Sequence, residues 1–217
     1  MSIQFPGESA SYRQARNKLL EAELSLRAEM ERVAGLRRQL PVGRVADVYV
    51  FQSDRGPVSL AELFAPGRDT LIVYSYMFGP DSEAPCPMCS AYLDSLDGVL
   101  PHLLQRLSLA VVASAPLERL QAVARERGWR HLPLLSASGN AYQQDYYGED
   151  ADGRQLPMCN VFVRRDGCVH HFWCSEMFFA DSPWHPRHVD LLFPLWNHLD
   201  LTPEGRGTFF PSLTYQE

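Results

Sequence analysis

Two cysteines two residues apart, Cys86-Pro87-Met88-Cys89, stand between a run that reads as a buried strand, Leu71–Phe78, and one that reads as a helix reaching about Leu104. Thiols at this spacing can close a small disulfide ring. A strand-to-helix turn also aims the first sulfur at the helix N-terminus, where partial positive charge favours thiolate over thiol. The motif therefore calls for a βαβ unit with the dithiol at its turn, and it makes thiol redox chemistry the leading functional expectation.

The rest of the chain supplies the remaining parts of such a fold. Residues 9–40 read as one long helix: Tyr12, Leu19, Leu26, Val33 and Leu40 recur every seven residues, with charges on the other faces. Pro41 ends it. Packing against its own chain is the favoured role for this stripe, and a homodimer is the other. A short strand is expected at Val45–Phe51, a turn at Ser53–Pro57 and a helical turn at Leu60–Phe64. After the CxxC helix, which Gly98 and Pro101 should kink or break, come a buried strand at Leu107–Ala113, a helix from Pro116 to Arg127 stopped by Gly128, and a short strand at Leu132–Ser136. Ser138–Gln155 reads as polar loop. Met158–Arg164 and Cys168–Cys174 flank Asp166-Gly167, a pair typical of a tight hairpin turn. A last helix is expected at Arg187–Leu199, kinked by Pro194, with loop beyond Asp200.

Charge and composition narrow the partners. A net charge of -6 argues against nucleic acid. No apolar run approaches the ~20 residues that span a bilayer, so no membrane partner is expected. The N-terminus lacks the basic-then-apolar pattern of a secretory leader, which points to the cytoplasm. There the odd cysteines Cys159, Cys168 and Cys174 are expected to be small apolar side chains. If Asp166 and Gly167 alone form the hairpin loop, Cys159 faces Cys174 across the two strands, with Cα atoms about 5.5 Å apart if that rung is hydrogen-bonded.

Strand, CxxC-headed helix, strand, helix, proline-led hairpin and final helix together resemble the thioredoxin fold over about residues 42–199. The expected architecture is thus an α/β, thioredoxin-like domain (42–200) with a central mixed sheet flanked by helices, a helical extension (1–41) and a tail (201–217). Closer still, Tyr76–Pro80, the CPMC motif, Asp145–Gly153, Asn160–Gly167, His171-Phe172-Trp173 and Pro186–Asp190 resemble a bacterial family catalogued as domain of unknown function 899. Its members are predicted dithiol–disulfide oxidoreductases.

The resemblance implies roles. Cys86 is the candidate nucleophile and Cys89 the resolving thiol, acting on a protein or small-molecule disulfide with an electron donor that the sequence does not identify. Pro157 takes the place of the cis-proline that begins the hairpin strand in thioredoxin-like proteins, and with Met158 it is the candidate substrate contact, by strand addition. No cofactor or metal is implied. Pro85 and the inner Pro-Met depart from thioredoxin itself, and the acids Asp81 and Glu83 would oppose thiolate formation if they lie near the sulfurs. A reducing to intermediate protein is expected.

Two alternatives compete. Peroxiredoxin-like sites carry Thr or Ser three residues before the attacking cysteine, where this chain has Glu83. A thioredoxin-fold interaction module could instead hold zinc through the CxxC pair; structural zinc needs about four ligands, no second CxxC is present, and His170, His171, His185 and His188 could contribute. The acidic loop Asp145–Asp152 lacks the ligand spacing of an EF-hand and reads as solvated.

Overall fold

The computed structural model describes residues 3–181 and 189–215. The chain divides into two compact units, Met1–Pro41 and Val42–Glu217. The first is one helix, α1 (Ala10–Arg38), whose Ser9 side chain accepts the Tyr12 N–H at the N-cap. By itself this helix has no core.

The second unit is built on a seven-stranded sheet. Its strands are β1 (Val50–Ser53), β2 (Gly56–Ser59), β3 (Thr70–Ser75), β4 (Ser108–Ala113), β5 (Leu134–Ser136), β6 (Met158–Arg165) and β7 (Cys168–Cys174), in the order β2-β1-β5-β4-β3-β6-β7. β3, β4 and β5 run parallel, joined by α2 (Pro87–Leu103) and α3 (Leu117–Arg127), while β6 runs antiparallel to β3 and carries the β6–β7 hairpin. A parallel βαβ core extended by an antiparallel hairpin, with CxxC at the head of the first crossover helix, is the thioredoxin-like arrangement expected.

Strand alternation splits the core in two. Leu71 and Val73 face Phe51, Leu60, Phe64, Tyr142 and Phe162 on one side. Tyr74 and Tyr76 face the other, against Leu93, Leu96 and Leu100 of α2, Leu120 of α3, and Phe193 and Trp196 around α5 (Pro194–Leu199). The site sits on this second side.

Several local expectations change. Only Val45 of the segment 45–49 pairs, as a single bridge to His170, and the strand proper starts at Val50; Gly56–Ser59 adds a partner strand where a plain turn was expected. α2 runs unbroken through Pro101, which lies in its last turn and so removes only one helical bond. Residues 138–155 are not all loop: α4 (Tyr142–Asp145) places Tyr142 in the core at 0% exposure. Pro194 opens α5 at its first turn, where a missing N–H costs nothing, instead of kinking a longer helix. Leu192 is half exposed. Arg187, His185 and His188, and Trp184 with them, lie outside the described residues.

Asp97 ties α2 to the chain after α3. It is 9% exposed, and its carboxylate accepts the backbone N–H groups of Arg130, His131 (2.7 Å) and Leu132 (3.0 Å). Asp97→Ala strands three donors at once, so stability should fall by about 2–4 kcal/mol. Urea unfolding would read this as a lower midpoint at unchanged slope; an unchanged midpoint would contradict it.

Candidate active site

β3 ends at Ser75, and the chain then climbs away from the sheet. Tyr76 N–H still reaches Val112 O (2.8 Å) and Ala115 N–H returns to Phe78 O (2.9 Å), so the segment stays pinned to the end of β4. The following loop is gripped by Arg119 of α3. Its guanidinium donates to the carbonyls of Pro80 (2.6 Å) and Ser82 and stacks over Phe78 at 4.5 Å. The loop then turns back, and Cys86 N–H bonds Met77 O at 3.0 Å. That single bond delivers Cys86 to the tip of α2 as its N-cap residue, with Pro87 in the first turn.

The two sulfurs occupy different environments. Cys86 is partly exposed; Cys89, one turn inward, is 1% exposed. Both are free thiols. The Cys89 thiol hydrogen-bonded to the Cys86 sulfur is the main influence lowering the Cys86 pKa to about 6, and the Cys89 and Met88 amides of the first turn add to it against the opposing cost of burial. No cap hydrogen bond of ordinary geometry closes on this sulfur, so the amides act as oriented charge. Cys89 moves the other way: burial first, then the neighbouring Cys86 sulfur, push it well above the usual thiol range. The pair thus separates into a thiolate at the surface and a protonated thiol beneath it. Asp81 and Glu83 are exposed and are not among the groups that shift Cys86.

The floor of the site is tyrosine. Tyr76 Oη shares a 2.6 Å hydrogen bond with Ser90 Oγ, which also donates to Cys86 O at 2.9 Å. Tyr74 Oη is hydrogen-bonded to the Cys89 sulfur. Neither tyrosine was singled out from sequence. The available signal was alternation: residue 74 of β3 and residue 76 just past its end fall on the same side, toward the CxxC helix. Trp173 and Met88 pack against the same apolar cluster, as does Cys86.

Pro157 is trans, contrary to the expectation from thioredoxin-like proteins. The loop before it closes on itself, with Leu156 N–H on Gly148 O (2.8 Å) and Glu149 bridged to Gln155, and so feeds β6 through the lower-energy isomer. Pro157 and Met158 are both buried, and Met158 pairs with Ser75 at the end of β3. Any contact with an extended substrate here therefore falls to backbone.

The Cys159–Cys174 rung is also corrected. The two-residue turn is as expected, with Arg165 opposite Cys168, but a bulge near Val161 shifts the outer register and sets Asn160 opposite Cys174. The two thiols fall on opposite sheet faces; Cys159 joins the core beside Tyr92, while Cys174 sits by Glu176 (3.4 Å).

Among the described residues no three His, Cys, Asp or Glu side chains gather in a metal-binding group. His170 Nδ1 lies on Gly43 O and His171 Nε2 on Asn160 Oδ1, both at 3.0 Å. The acids of loop 145–152 are taken up locally: Asp145 accepts from Tyr49, Asp150 from Arg154, and Glu149 from Ser114 and Gln155. No helix among the described residues is long and apolar enough to cross a membrane.

Residues 3–215 match the family model described as bacterial protein of unknown function (DUF899), and the chain belongs to that family. None of the curated proteins matches it. Similar solved structures include a peroxidoxin from Mycobacterium tuberculosis at 16% identity (TM-score 0.45, covering 72% of this chain and 96% of that one). A pneumococcal exposed lipoprotein thioredoxin from Streptococcus pneumoniae is 12% identical (TM-score 0.42, 69% and 99%). A peroxiredoxin-like protein from Aquifex aeolicus is 15% identical (TM-score 0.42, 62% and 75%). Likeness this distant says nothing of reaction.

A thiol with a pKa of about 6 is about nine-tenths ionised at pH 7, against a few per cent for an ordinary one. Alkylation of the reduced protein by iodoacetamide should therefore rise with pH through a midpoint near 6 and level off above it. One modified cysteine, Cys86, accounts for the fast phase. A midpoint near 9 would contradict this electrostatic reading.

Proposed function

We propose that the protein is a dithiol–disulfide oxidoreductase that exchanges electrons between Cys86/Cys89 and a disulfide in a protein or small molecule. The observation that supports this most is the division of labour between the two sulfurs: a partly exposed Cys86 whose pKa is lowered, within hydrogen-bond reach of a buried, protonated Cys89. Cys86 thiolate attacks the substrate disulfide and expels one thiolate. Cys89 then attacks Cys86, closes the intramolecular disulfide and frees the second thiol. A separate donor must return two electrons for each cycle. The Pro157–Met158 backbone is the proposed docking edge for the substrate chain. Peroxide reduction ranks lower, because the position three residues before Cys86 holds the exposed acid Glu83 instead of a hydroxyl.

Insulin reduction with dithiothreitol as donor tests the proposal. The wild type should accelerate precipitation of the insulin B chain well above the free-thiol background. Cys86→Ser should abolish the acceleration, and Cys89→Ser should accumulate a mixed disulfide visible by mass. Wild-type turnover no faster than Cys86→Ser would overturn the assignment.

A further inference from the structure

Cys89 poses a chemical problem that Cys86 does not. It must give up a proton to resolve the mixed disulfide, yet it is 1% exposed and water cannot solvate its thiolate. Something buried must. The groups that surround it are Cys86 on its own helix, the Met77 backbone amide, Tyr74 from β3 and Tyr76 just past its end, and beyond them Tyr92 and Cys159. Tyr76 is spent on Ser90 at 2.6 Å. Tyr92 packs its ring against Tyr74, centroids 5.0 Å apart, and fixes that ring in place. Tyr74, itself 1% exposed, is the side chain left with its hydroxyl on the Cys89 sulfur, beside the Met77 backbone amide.

We propose that Tyr74 is a positioning residue for the second half of the exchange: its buried hydroxyl donates a hydrogen bond to the Cys89 sulfur and stabilises the negative charge that develops there as Cys89 attacks. The inference rests on the dithiol reading above. Burial keeps the phenol protonated, so it serves as a donor at every working pH. The Tyr74 contact works in the direction that eases ionisation of Cys89, opposing both burial and the Cys86 sulfur. Cys89 S–H loses its proton, the thiolate forms the S–S bond to Cys86, and the substrate sulfur departs as a thiolate and takes up a proton. The dithiol is oxidised by two electrons and the substrate disulfide is reduced by two.

The aromatic disulfide 5,5′-dithiobis(2-nitrobenzoate), in stopped flow against the reduced full chain carrying Cys168→Ser and Cys174→Ser so that these solvent-reaching thiols release nothing, separates the two halves. The first nitrothiobenzoate released reports attack by Cys86, and the second reports resolution by Cys89. Tyr74→Phe should leave the first phase unchanged, slow the second about tenfold, and move the pH midpoint of the second phase upward. A purely packing role would slow both phases together without moving that midpoint, and this outcome overturns the proposal. So does a second phase that is identical in wild type and Tyr74→Phe. A wild type that releases only one equivalent instead overturns the dithiol reading itself. Should Tyr74→Phe not fold, 3-fluorotyrosine incorporated into the wild-type chain supplies a more acidic donor. The second phase should then accelerate, and an unchanged rate contradicts the role of Tyr74.

Discussion

The hydrogen bond from Cys86 N–H to Met77 O, at 3.0 Å, closes the loop between β3 and α2 and decides where the first sulfur stands. Without it the ten-residue excursion from Tyr76 to Pro85 has no fixed return, and the N-terminus of α2 has no defined cap. With it, Cys86 becomes the cap, its backbone leaves the helix in extended geometry (φ -60°, ψ 123°), and its side chain is set against the first-turn amides. Arg119 makes that closure durable by holding the Pro80 and Ser82 carbonyls from a neighbouring helix. A proline on each side of Cys86 narrows the remaining backbone freedom further.

From this placement the chemistry follows by competition between charge and burial. Both sulfurs are taken partly or wholly out of water, which by itself would keep both protonated. Cys86 escapes because hydrogen-bond donors outweigh its burial, and Cys89 does not because burial and the neighbouring Cys86 sulfur outweigh the donors from Tyr74 and Met77. The asymmetry is a property of the pair and not of either residue. Beneath them, two tyrosine hydroxyls replace the water that a surface thiol would use, one holding the helix start through Ser90 and one meeting the inner sulfur.

Much of this was legible in the residues. The CxxC spacing, the strand before it and the helix after it located the thiols and their order, since those features are set within about twenty residues. Asp166-Gly167 located the hairpin turn for the same reason: left-handed backbone at Asp166 and Gly167 is a local demand. What failed depended on distant parts of the chain. The bulge near Val161 shifted the outer register and separated Cys159 from Cys174, and turn chemistry carries no trace of it. The trans geometry of Pro157 follows from how loop 148–156 closes, and the burial of Tyr142 from a core that forms only when β1, α4 and β6 meet. Tyr74 and Tyr76 read as ordinary strand residues because their partners come from α2.

A redox titration of the Cys86–Cys89 couple in thiol buffers, followed by mass after trapping free thiols, tests the central claim most directly. The account predicts one cooperative two-electron transition, with both thiols lost together into a single intramolecular disulfide. Its midpoint should fall in the intermediate range, about -270 to -180 mV, since a Cys86 thiolate stabilised at pH 7 favours the reduced form. Two thiols that remain separately alkylated at every potential would contradict it.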